Sequence, residues 1–195
     1  MIYEFHVTLQ NANKEKFKSF CSVLKVKPII LDIQQKDSKS IYEEVMTSST
    51  ENFKTDLEAK KHLDYLVKKL KEQSFEVIRE KIECEPTHKD IDKCLQNKYL
   101  EAHLNVLVKN SQTLENITNI CKNYNVHLSR NVNKQLENGF TIMITYRENV
   151  KLKVFKHKLN KIIKEIKQFH NIEKEVIEYA LFDSNLNYDT QWLKD

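Results

Sequence analysis

The sequence predicts an α+β fold in which one β-α-β-β-α-β unit occurs twice. Three observations predict it. A strand-like stretch carrying Glu-x-His on its polar side occurs at residues 3–9 and again at 100–106. Each copy is followed by a short amphipathic helix, two further strands, a long amphipathic helix and a last strand. Matched positions keep an offset between 95 and 100 residues along the whole chain.

The first strand, Tyr3-Glu4-Phe5-His6-Val7-Thr8-Leu9, aligns with Leu100-Glu101-Ala102-His103-Leu104-Asn105-Val106 at an offset of 97. Both alternate apolar and polar residues, the period of a strand with one buried face. Phe17, Phe20, Cys21 and Leu24 have helical spacing, and Ile117, Ile120, Cys121 and Tyr124 repeat it. Ser111 is the expected N-cap of the second copy. Val26 against Val126 starts the next strand in each copy. The third strands are read at residues 41–49 and 140–147, with Thr47 equated to Thr145 and Ser49 to Arg147. Asn138-Gly139 marks a tight turn before the second of these, because glycine tolerates positive φ. Leu63, Leu66, Val67 and Leu70 match Leu159, Ile162, Ile163 and Ile166 at a constant offset of 96. Thr55-x-x-Glu58 reads as a capping box. The last strands, read at 77–84 and 172–179, place Glu83 opposite Glu178.

This order is the split βαβ arrangement of ferredoxin-like folds. The expectation is a tandem duplication of a ferredoxin-like β-α-β-β-α-β unit, with antiparallel sheets and helices on one face. The units are placed at 1–86 and 99–182, with a linker at 87–98 and a C-terminal tail at 183–195. In each unit strands one and three are expected to be central, with strand four beside strand one. The linker is read as a short helix with Ile91 and Leu95 inward.

Composition narrows the chemistry. The 195 residues contain a single glycine, Gly139, and two prolines. A P-loop, a dinucleotide-binding turn and a nucleophile elbow each need several glycines, so all three are excluded. The four cysteines lack C-x-x-C spacing, and Cys21 and Cys121 fall on apolar helix positions. Buried, reduced thiols in a cytoplasmic setting are expected. No cofactor and no metal are expected: no His/Cys set has zinc spacing, and the 183–189 stretch fails as a calcium loop because Tyr188 holds the glycine position and Lys194 that of the closing Glu. That stretch reads instead as an Asx-turn cap, with Trp192 anchoring the chain end. No apolar run approaches the roughly 20 residues of a membrane span, and the N-terminus lacks the pattern of a signal peptide, so no membrane partner is expected. The net charge is +4, and the Lys-rich helix at 151–167, with its charges spread around it, is a candidate contact for nucleic acid or an acidic partner. The low glycine and high Lys, Asn and Ile content fit an AT-rich viral or microbial genome.

Alternation assigns Glu101, His103, Asn105, Ser129, Asn131, Thr145, Arg147 and Glu178 to the face turned away from the helices in the second unit. In the first unit that face receives Glu4, His6, Thr8, Thr47, Ser49, Arg79, Lys81 and Glu83. The second face is the better candidate site. His103, Glu101 and Glu178 join imidazole to carboxylate, which suits proton transfer. Arg147 suits a phosphate or carboxylate, which its fork can grip with two N–H bonds. Thr145, Asn105, Ser129 and Asn131 are candidate ligand contacts. Taken singly, these last are what any solvated sheet face presents.

His6-Val7-Thr8-Leu9 resembles the H-x-[ST] strand motif of the two-histidine phosphoesterases, whose two lobes each donate one such motif. The resemblance implies hydrolysis of cyclic phosphates or RNA ends. It makes His6 and His103 acid and base, with Thr8 and Asn105 holding the phosphate; Asn105 stands where the family has its second hydroxyl. The second unit, from Glu101-x-His103 to Trp192, also resembles a family met in large DNA viruses and microbes, which implies no mechanism. The expected function is binding, with hydrolysis as the reaction, of a small phosphorylated or nucleotide-like ligand in a polar cleft between two sheets. The alternative is a non-catalytic protein- or nucleic-acid-interaction module.

Overall fold

A computed structural model describes residues 1–35, 41–93, 95–124, 126–131, 135–137 and 139–188, excluding the side chains of 32–35, 41, 42, 130, 131 and 135. The first half runs β1 (Ile2–Gln10), α1 (Lys14–Leu24), β2 (Lys27–Gln35), β3 (Ile41–Asn52), α2 (Asp56–Glu72) and β4 (Glu76–Cys84). The second runs β5 (Tyr99–Val108), α3 (Ser111–Tyr124), β6 (His127–Asn131), β7 (Gln135–Leu136), β8 (Gly139–Glu148), α4 (Leu152–Lys167) and β9 (Ile172–Asp183).

Local chemistry sets the element ends. The Asn13 side chain accepts the Lys16 amide to start α1, and Lys25 turns the chain out of it with φ of 59°. Thr55 and Glu58 form the expected capping box on α2. The cap of α3 lies one residue earlier than expected: Asn110, not Ser111, accepts the Thr113 amide at 2.9 Å. Gly139 has φ of +133°, and a Cβ there would meet the Val108 carbonyl oxygen at 2.0 Å, so only glycine fits. Its turn partner Asn138 lies outside the described residues, as do Cys94, Trp192 and Lys194. The linker shows turns rather than the expected helix, closed by bonds such as Ile91 N–H to the His88 carbonyl at 3.1 Å. Hydrogen bonds tie it down instead: buried His88 bridges the Asp90 amide to the Asp56 carboxylate, which also accepts the Tyr3 hydroxyl.

Each half has the strand order expected, β4-β1-β3-β2 and β9-β5-β8-β6. The two do not remain separate sheets. β4 pairs with β9 through Lys81↔Asp183 to Cys84↔Tyr179, and β2 pairs with β6 through Ile33↔Asn131 to Gln35↔Ser129. Eight strands therefore close into an antiparallel ring, and each edge of one half is covered by the other.

The helices pack outside this ring. Tyr3, Phe5, Val7 and Leu9 of β1 and Leu100, Ala102, Leu104 and Val106 of β5 are buried against Phe17, Leu63, Leu70, Ile117, Leu159 and Ile166. Tyr146 stacks on Phe155 of α4 at 4.8 Å. At about 25 cal/mol per Å², this apolar layer is the main stabilising term of the fold. Among the described side chains, the alternate residues of the ring strands turn inward, and the two polar faces meet in a shared lumen, where Lys81 of β4 reaches Glu101 of β5.

Register corrects two residues. Phe5 pairs with Ser49 and Val7 with Thr47, which puts Ser49 and Thr47 on the helix side. His6 pairs with Ser48 and Glu4 with Thr50, just as His103 pairs with Thr145 and Glu101 with Arg147. The first-half counterparts of Thr145 and Arg147 are thus Ser48 and Thr50. Equating them one residue earlier exchanges faces, because the strand period is two.

Candidate functional site

Each half places a Glu-His-Glu set in the lumen by the same construction. Glu4 and His6 alternate on β1 and Glu83 stands opposite Glu4 on β4; Glu101 and His103 alternate on β5 and Glu178 stands opposite Glu101 on β9. His6 Nε2 lies 3.2 Å from Glu4 and 3.3 Å from Glu83. His103 Nε2 lies 3.9 Å from Glu101 and 3.5 Å from Glu178, and its Nδ1 is 3.1 Å from the Thr145 hydroxyl.

Lys81 joins the sets. It is buried on β4, 2.7 Å from Glu83, and it donates to Glu101 across the lumen. Arg147 donates to Glu101 from Nη2 at 2.6 Å and from Nε at 3.2 Å. The ring of Tyr99 lies 4.4 Å from the Arg147 guanidinium and 5.7 Å from Lys81. Further along, Arg79 holds Asp183 with two bonds of 3.0 and 2.7 Å, and the Tyr99 hydroxyl donates to the same carboxylate at 2.6 Å.

These contacts divide the proton affinities. Burial disfavours the His6 imidazolium, but the bonds to Glu4 and Glu83 outweigh it and raise its pKa to about 9. Glu4 is lowered, first by its bond to His6. Burial pushes Glu83 and Glu101 up, and the charge of Lys81 overrides it and holds both below the usual carboxylate range. Lys81 stays well above its ordinary value despite burial, because Glu101 and Glu83 face it. Glu178 goes the other way. Burial raises it, the charges of Glu83 and Glu4 add to that, and it reaches about 7.

The structure thus brings together His103, Glu101, Glu178, Arg147 and Thr145, and links them through Lys81 to His6. Thr8 is buried in the same lumen beside Arg79 in register. Asn105 sits one lumen position beyond His103, between Met143 and Lys174. Ser129 is buried on β6, where it pairs with Met143. Asn131 pairs with Ile33 through its backbone, and its side chain lies outside the described set.

Four ionic residues were legible as lumen-facing but not singled out: Glu4, Arg79, Lys81 and Glu83. Tyr99 and Asp183 were missed. Tyr99 continues the alternation of Glu101 by two residues. Asp183 was read as tail, yet it is the last residue of β9. A register shift places Glu83 opposite Ala180 and Ile82 opposite Phe182, leaving Leu181 as an extra residue. That bulge turns Asp183 inward, where strict alternation from Glu178 sends it out. The following turn behaves as expected, with the Asn185 amide bonding Asp183 at 3.0 Å.

Asp56, His88 and Asp90 bring three ligand-type atoms within 4.8 Å of one another. His88 Nδ1 accepts the Asp90 amide at 3.0 Å, so Nε2 carries the proton and donates to Asp56 at 3.0 Å. The imidazole is fully used, and the group acts as a clamp on the linker.

No family model matches the chain, and no curated protein matches it. Among solved structures, the acetolactate synthase small subunit from Thermotoga maritima aligns over 91% of this chain and 92% of its own, at 11% identity and a TM-score of 0.34. A monooxygenase candidate from Lactobacillus acidophilus NCFM aligns over 92% of each chain, at 8% identity and a TM-score of 0.28. At these scores neither likeness bears on what the chain does. Among the described residues, no helix is long and apolar enough to cross a membrane.

Proposed function

We propose that the lumen binds a small phosphorylated or nucleotide-like ligand at its second-half side and hydrolyses its phosphoester. One observation carries this reading. A part-exposed imidazole, carboxyl and guanidinium converge there: His103, Glu178 and Arg147, with side chains 26%, 20% and 23% exposed. Convergent polar groups on rigid strands are a common site design. Arg147 keeps its charge at every working pH and is the anion contact. His103 takes a proton from water as the oxygen attacks phosphorus. The Glu178 carboxyl, protonated near neutrality, gives its proton to the leaving oxygen. Glu101, held by Lys81 and Arg147, positions the guanidinium.

The same reading takes the chain as a tandem duplication with one working copy. The repeated Glu-x-His strand and the matched Glu83 and Glu178 support it. The buried thiols of Cys21 and Cys84, both pushed up to about 12 by burial, suit a reducing compartment such as the cytoplasm.

A thermal-shift screen of wild type, His103→Ala and Arg147→Ser against inorganic phosphate, nucleotides, cyclic nucleotides and sugar phosphates tests the proposal. One class should raise the wild-type melting temperature, by an amount equivalent to about 2.7 kcal/mol at a hundred times its Kd. Arg147→Ser should lose the response. His103→Ala should keep part of it and lose turnover. No response to any of the four classes sinks the reading.

A further inference from the structure

The outer face of α4 differs from that of α2, its counterpart in the first half. Along α2, cations and acids alternate, and the helix pairs with itself: Lys60 with Asp64, and Lys69 with Glu72 at 2.7 Å. Along α4 the solvent side carries Lys153, Lys156, Lys161, Lys164 and Lys167, all exposed. At about 100° per residue these five occupy an arc of about 140°; Lys158, which pairs with Glu148, and the N-cap Lys151 widen the lysine arc to about 220°. The only acid of the helix, Glu165, is turned away and accepts the Tyr124 hydroxyl at 2.6 Å. Among the described residues, no carboxylate forms an ion pair with any of the five lysines.

The stripe is about 21 Å long at 1.5 Å per residue, which matches about six phosphates of one duplex strand at 3.4 Å each. Its far end continues past Lys167 into a cleft of about 420 Å³ lined by Lys109 and Asn110, with one acid, Glu173, on its wall. Two other kinds of partner fit less well. The apolar side of α4, Phe155, Leu159, Ile162, Ile163 and Ile166, is spent in the core, which leaves only Val154 on the helix and Phe169 beyond its end exposed, too little apolar surface for a helix that lies in a lipid interface. Within α4 the stripe itself carries no aromatic side chain of the kind that anchors protein interfaces; Phe169, 64% exposed, lies beyond it in the cleft.

We propose that the lysine face of α4 binds the phosphodiester backbone of a nucleic acid, without reading its sequence. Contacts from lysines to phosphates release counterions, so the affinity depends on salt and not on base order. The face lies outside the ring, with the sheet between it and the lumen. It therefore stands or falls independently of the lumen site.

Fluorescence anisotropy with labelled 20-mer RNA, single-stranded DNA and duplex DNA, titrated at several salt concentrations, tests it. Wild type should bind at low salt with similar affinity across sequences. The triple variant Lys153→Gln, Lys156→Gln, Lys164→Gln should flatten the slope of log K against log salt by about 2 on single strands and about 3 on duplex. The control variant Lys61→Gln, Lys68→Gln, Lys71→Gln, exposed on α2, should leave the slope unchanged. No binding at low salt overturns the proposal, and so does an equal loss in both triple variants. Binding to phosphatidylserine vesicles but to none of the three nucleic acids overturns it in favour of a membrane surface.

Discussion

The two Glu-His-Glu sets have the same strand positions and opposite proton chemistry. In the first, both carboxylates are held ionised and His6 keeps its proton to about pH 9. In the second, Glu178 keeps its proton to about pH 7. One neighbour makes much of the difference. The lumen residue paired with His6 on β4 is Lys81, and the residue paired with His103 on β9 is Val176. Lys81 spends its charge on Glu83 and Glu101, and Arg147 spends its own on Glu101. Lys81 also lowers the Glu178 pKa, but burial and the charges of Glu83 and Glu4 outweigh it. A saturated ion-pair set is a structural element; a carboxyl that titrates near neutrality beside an imidazole is an acid–base pair.

The largest break in this comparison is Lys81→Met. Removing the shared cation of a buried ionic cluster leaves Glu83 with His6 alone and Glu101 with Arg147 alone, and the expected loss is about 3–5 kcal/mol of stability. Urea denaturation at pH 7 measures it; a loss below about 1 kcal/mol means that water reaches these groups. The converse variant, Val176→Lys, sharpens the comparison by giving the second set the cation of the first. The Glu178 pKa, followed by carboxyl NMR, should then fall from about 7 toward the ordinary range.

His6 comes next, read through pH. Its folded-state pKa of about 9 lies above the unfolded value, so its stabilisation is complete below about pH 6.5 and is lost as pH rises through 9. The swing is at most about 3–4 kcal/mol, taking 1.36 kcal/mol per unit. Wild type should lose stability between about pH 8 and 9.5, above the Glu178 titration, and His6→Gln should be flat over that window. Equal slopes in the two proteins would show that His6 is not held as a cation.

Glu178 is an acid with a raised pKa, which reverses the usual carboxylate sign. The folded state binds more protons than the unfolded chain between about pH 4.5 and 7, so stability falls as pH rises through that window. Glu178→Gln removes the slope and should be more stable than wild type above pH 7, by on the order of 1–2 kcal/mol. A variant less stable than wild type at pH 8 would mean that the ionised carboxylate is well paired.

What the sequence made legible follows from what alternation can and cannot encode. Period-two patterning put His103, Glu101, Glu178 and Arg147 on one face, because each lies in a strand without a break between them. It failed at Thr47 and Ser49, where similarity of residue type was mistaken for register, and at Asp183, where a bulge reverses the face. Closure of the ring was not legible. The edges that meet, β2 with β6 and β4 with β9, are joined by backbone hydrogen bonds, and backbone groups are the same in every residue. The role of Lys81 was hidden for the same reason: its face could be read, but its partner Glu101 stands two strands away in the other half.

Thr145→Val gives the smallest expected effect and the finest test of the second set. The His103 ring contacts protein through Thr145 at Nδ1 and the carboxyl groups at Nε2. Losing one hydrogen bond at a buried hydroxyl costs about 0.5–1.5 kcal/mol. The stability change alone does not discriminate, since Ser48 bonded to Glu4 in the first half is worth as much. Function does. The hydroxyl pins the Nδ1 edge of the ring, and hence the direction in which Nε2 faces Glu178. Proton NOEs from the His103 ring should report a single ring orientation in wild type and a mixture in the variant. Turnover should fall by about tenfold or more while ligand-induced stabilisation, which depends on Arg147, is kept. A single unchanged orientation would mean that the strand backbone and Glu178 alone fix the ring, and Thr145 would then be packing rather than part of the site.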